Sequence, residues 1–202
     1  MIGLILGTIA TAACTVVKSL AVVGLAVDGL KKVGGVLVNL AKSLGLIKPQ
    51  VQVDELGDKA MQCGYEPENF DSYSDYVKAV EEFDDLDAEK SRMTPEEDKI
   101  KKGMELATGV MIEKYDKCPT KKFCVELGKR PDFFTEGTLN EIGKMIDMDE
   151  GSISDILGYL DGTEKDENKL GSIEGKLTDV YKTGNPGIND DDALEAVSRL
   201  WK

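Results

Sequence analysis

Carboxylates are the reactive groups this chain holds in quantity, 38 Asp and Glu against 25 Lys and Arg. Asp147, Asp149 and Asp155 approach the spacing of a calcium-binding loop. Gly151 stands one place before the glycine such a loop needs, however, and no glutamate closes it. Asp166, Asn168 and Gly171 have the glycine in register, but Leu170 and Leu177 occupy positions that require oxygen ligands. Asp190, Asp191 and Asp192 follow Asn189, where their charge complements the positive end of a helix. None of these groups makes a metal site.

Other chemistries lack their central residue. No histidine occurs in 202 residues, which removes the commonest general base, the usual zinc nitrogen ligand and the base of Ser-His and Cys-His nucleophile pairs. The glycines from Gly151 to Gly162 and from Gly171 to Gly175 do not have the spacing of a phosphate cradle, nor the lysine that follows one. Cys14, Cys63, Cys118 and Cys124 are too scattered for a zinc module. Cys118 and Cys124 bracket Pro119, so geometry decides whether they pair; the expectation is four reduced thiols. The chain is expected to be no enzyme, with no catalytic residue, cofactor or metal.

With little chemistry to position, the informative feature is the contrast between two regions. Residues 1–47 hold Lys18, Lys31, Lys32 and Lys42 against the single acid Asp28, and are otherwise almost wholly apolar. One heptad position reads Ile2, Ile9, Val16, Val23, Leu30, Leu37, Leu44, all large aliphatics. Four residues on, a second row reads Leu6, Ala13, Leu20, Val27, Gly34, Ala41. An apolar seam held at a seven-residue period is the signature of helices that wrap around one another. Opposite it runs a polar stripe of Thr8, Thr11, Thr15, Lys18, Lys32 and Asn39. The valines and seven glycines weaken a solvated helix, and a hinge is expected around Asp28, Gly29, Gly34 and Gly35.

A fully helical segment of this length would reach on the order of 70 Å, about twice the thickness of a bilayer's hydrocarbon core. It therefore bends, lies flat or buries itself in protein. A membrane partner is compatible with its composition, Lys18 costing about 3 kcal/mol at the centre of a span. No side-chain base precedes Lys18, so the segment does not read as a cleavable secretory signal. Cytoplasmic synthesis, then a membrane-associated or assembled form, is expected.

Past Lys48 and Pro49 the composition changes. Residues 48–202 keep 21 bases against 37 acids, a net charge of −16, which repels nucleic acid and anionic headgroups. Helix signals recur: Val53 to Cys63 stopped by Gly64, Ser72 with Asp75 ahead of Tyr73 to Phe83, and Thr94, Pro95 and Glu97 opening a helix to Tyr115. Further helices are expected over Lys121 to Leu127, Thr138 to Met148, Ser152 to Leu160, Lys169 to Tyr181 and Asp190 to Trp201.

The fold class expected is mainly α: a long hydrophobic N-terminal helix (1–47) followed by an acidic all-α globular domain (48–202) that folds by itself. The function expected is that of a structural subunit that self-assembles as a homo-oligomer, or joins a larger particle, through the seam, with the acidic domain outside. The rival is a membrane-inserting or pore-forming protein with a soluble regulatory domain.

Overall fold

The structure, a computed structural model, describes the backbone of residues 2–21 and 25–201 and the side chains of residues 5–21 and 25–200. All regular structure among them is helical: α1 (Ile2–Ala21), α2 (Val27–Ser43), α3 (Val53–Gln62), α4 (Tyr73–Glu81), α5 (Ala88–Met93), α6 (Glu96–Lys114), α7 (Thr120–Gly128), α8 (Glu136–Met148), α9 (Gly151–Leu160), α10 (Glu167–Gly184) and α11 (Asp190–Ser198), with short 3₁₀ turns at Pro67–Asn69 and Arg199–Trp201.

The single long N-terminal helix is replaced by two. Ala26 is extended, and the amide of Leu30 donates to the Ala26 carbonyl at 3.0 Å, so α2 starts afresh with Asp28 in its first turn. The break therefore precedes Asp28, while Gly34 and Gly35 lie inside α2. At the far end Gly45 takes φ +66°, and the Leu46 amide donates to Ala41 O at 2.9 Å, closing the helix ahead of Pro49. Two helices can each lay an apolar side on the same core, which one straight rod of that length cannot.

That core is organised around α6, against which α1, α2, α3, α4 and α7 all pack. A second group, α8 to α11, joins it through contacts of α8 with α2 and of α9 with α7. One continuous apolar cluster contains Leu6, Val16 and Leu37 together with Leu56, Met104, Phe123 and Ile142. Side chains from both sides of the composition change at residue 48 thus share one interior.

Local sequence explains several helix starts. Ser72 Oγ accepts from the Asp75 amide, Thr135 from Thr138, Asp166 from Lys169 and Asn189 from Asp192. Thr94 behaves differently from expectation. Its hydroxyl donates to Lys90 O at 2.9 Å and closes α5, while Pro95 stands at the cap of α6. Backbone contact fixes the α3–α6 crossing: a Cβ on Gly57 would lie 1.7 Å from Lys99 O, and one on Gly103 1.9 Å from Val53 O.

Candidate functional site

The seam lies inside the molecule. Ile9 and Val16 on α1, Leu30 and Leu37 on α2, and Leu44 just after it are all buried, Leu37 completely. The side chains of Ile2 and Val23 fall outside the described residues. Leu6, Ala13, Leu20 and Ala41 of the second row are buried too, whereas Val27 is 37% exposed.

Thr8, Thr11, Thr15 and Lys18 form the outward face of α1, and Lys32 is exposed on α2. Lys32 pairs with Asp132 at 3.1 Å, and half-buried Asn39 accepts from Lys42 Nζ at 3.3 Å. The α1 hydroxyls are turned back onto their own helix: Thr11 Oγ1 donates to Gly7 O at 2.8 Å, Thr15 Oγ1 to Thr11 O at 2.9 Å, and Ser19 Oγ to Thr15 O at 2.9 Å. Drying this face would strand none of these three donors.

Two open cavities flank α1, one along this face and one at its apolar edge. One of about 700 Å³ is lined by Gly7, Thr8, Thr11, Ala12 and Thr15 with Glu68 and Lys121. Its neighbour, about 610 Å³, shares Lys121 and lies among Ile5, Leu6, Ile9, Ile112 and Pro119, with Asp71, Glu113 and Asp116 at its rim. Ile5 is 58% exposed there. Glu113 is already occupied: its carboxylate accepts from the Tyr73 and Ser74 amides at 2.6 and 2.9 Å and so caps α4.

A well-connected buried polar group lies elsewhere and is not legible from spacing. Asp58, on α3, accepts from Ser91 Oγ at 2.5 Å and Gln62 Nε2 at 2.9 Å, and lies 3.3 Å from Lys99 Nζ. Burial alone would raise its pKa, but the bonds from Ser91, Gln62 and Lys99 outweigh it and hold the carboxyl below its ordinary value. Because α5 buries none of its residues, this network is what fastens it. The serine hydroxyl is spent on Asp58 and the lysine also binds Ser91 O, so the cluster acts as a clasp.

All four cysteines are free; Cys124 is fully buried, and desolvation pushes its thiol up to about 12. Among the described residues no group of three or more His, Cys, Asp or Glu is placed to hold a metal ion. No helix among them is long and apolar enough to cross a membrane. The outward face of α1, with the cavity along it and the one at its apolar edge, is the candidate site. Comparison of the chain with protein-family models, curated proteins and solved structures finds no match.

Proposed function

We propose that this protein is a non-catalytic structural subunit that self-associates, alone or within a larger particle, through the outward face of its N-terminal helix, leaving the acidic remainder exposed. The seam serves the chain's own core, and the opposite face of the same helix makes the contact. The observation that carries this reading is the state of the α1 hydroxyls. Thr11, Thr15 and Ser19 already donate within the helix, so covering them forgoes little hydrogen bonding to water. Among the described side chains of α1, Leu6, Ile9, Val16, Val17 and Leu20 point inward and Ile5 is the exposed exception, which supports a protein partner over lipid, since interfacial helices bury a continuous apolar face in the membrane.

The test is sedimentation of the full chain in detergent-free buffer over a wide concentration range, with and without neutral or anionic vesicles. Discrete, detergent-independent oligomers are expected. A strictly monomeric chain, or one lost to vesicles, contradicts the proposal.

A further inference from the structure

Gly7 and Ala12 mark the two edges of the exposed stripe of α1. At 100° per residue they stand roughly 140° apart, with Thr11 between them and Ile5 beside Ala12. A carboxylate oxygen of Glu68 lies 3.0 Å from where a Cβ on Gly7 would sit. Lys121 lines both cavities, including the one that opens toward Ile5 and Ile9. An acid therefore flanks one edge of the stripe and a base the other. Both side chains are exposed, and among the described residues neither is in an ion pair.

We infer that α1 packs against α1 of a second copy in a parallel two-fold pair, with Glu68 of each chain facing Lys121 of the other. This rests on the self-association proposed above and specifies its geometry. A two-fold axis running along the helices exchanges the two flanks, setting acid against base twice. An in-plane axis across the helices would instead set acid on acid and base on base, so charge selects the parallel arrangement. Gly7, Thr11, Thr15 and Ser19, spaced four apart along the face, keep side-chain bulk low where the helices approach. Lys18 is the opposing term: it stands about 20° from the Gly7 edge, so in the parallel pair each copy of this exposed lysine faces the base-bearing flank of the other chain.

Reversing one charge removes two attractions and creates two repulsions. Glu68→Lys or Lys121→Glu should each weaken association about tenfold, the combined effect of these exposed charge contacts. The double reversal restores the pairing, and should return affinity to within about threefold of the parent. Lys18→Ala should tighten association, because it relieves a like-charge contact that only the parallel pair contains. Full-chain sedimentation equilibrium measures all four variants. Insensitivity to the single reversals, failure of the double to recover, or weakening by Lys18→Ala overturns the parallel pair while leaving self-association through another geometry standing. A parent chain that never associates removes the underlying proposal itself.

Discussion

Helices α1 and α2 come from one continuous heptad pattern and meet opposite fates. Only one side of α1 is covered, and Thr8, Thr11, Thr15, Lys18 and Ser19 remain in solvent. By contrast α2 packs against α3, α6, α7 and α8 and buries Leu30, Val33, Gly34, Val36, Leu37, Val38, Leu40 and Ala41, leaving a narrow side with Lys31, Lys32 and Gly35 open. A seven-residue apolar period thus specifies a surface that must be buried without specifying whose surface buries it. Here the partner is the same chain.

The contrast breaks first if the two helices respond alike to a new charge. Leu37→Asp on α2 places a carboxylate in a position with no exposure, where an unpaired charge costs several kcal/mol, of the order of the whole stability of a domain. Thr15→Asp on α1 should cost less than about 1 kcal/mol in thermal or denaturant unfolding. Equal losses at both positions would mean that α1 is covered on all sides.

Glycine substitutions sharpen it next. Adding a methyl to Gly57 drives it into the backbone of α6, and Gly57→Ala should lower stability by about 3 kcal/mol or more, as overpacking does when backbone must move. Gly35, in α2, has nothing within 4 Å of its would-be Cβ, so Gly35→Ala should stabilise by about 0.5–1 kcal/mol through helix propensity alone. A loss there would show that α2 has no open side.

A smaller effect separates the N-terminal helices from the clasp. The folded-state pKa of Asp58 is depressed, so the folded chain holds this proton less tightly than the unfolded one. Its contribution is present above the ordinary carboxylate range near 3.9 and fades as pH falls through the folded value. Asp58→Asn should flatten that acid limb of the stability curve and speed amide exchange in α5, with little change in α1. Uniform exchange across both helices would mean that α5 is fastened by something other than Ser91, Gln62 and Lys99.

How much of this was legible follows from the range of each interaction. Caps at Ser72 and Asn189 act within three residues and were read correctly, as was the stop at Gly64, which takes φ +68°. Thr94 does not cap α6 because α5, too short to show a period, lies just ahead and takes its hydroxyl. The apolar period of the seam is visible in the sequence, but the docking of both α1 and α2 on α6 depends on contacts distant in sequence. Asp58 with Ser91, and Glu113 with Tyr73, join residues 33 and 40 positions apart, and no local signal marks them. Of the polar stripe, Thr8, Thr11, Thr15 and Lys18 share the outward face of α1 while Lys32 and Asn39 fall on α2, and the flanks of Glu68 and Lys121 emerge only with the fold.

The central claim is that residues 1–47 complete the interior of the remaining chain. Expressing residues 48–202 alone and following melting by circular dichroism tests it directly. Removing Leu6, Val16, Val17, Leu20, Leu30, Leu37 and Leu40 strips a wall from the cluster around α6, and the truncated chain should retain helix but lose a cooperative transition, with exposed apolar surface that binds hydrophobic dye. A sharp transition near that of the full-length protein would contradict the account and restore the division at residue 48 that the composition suggests.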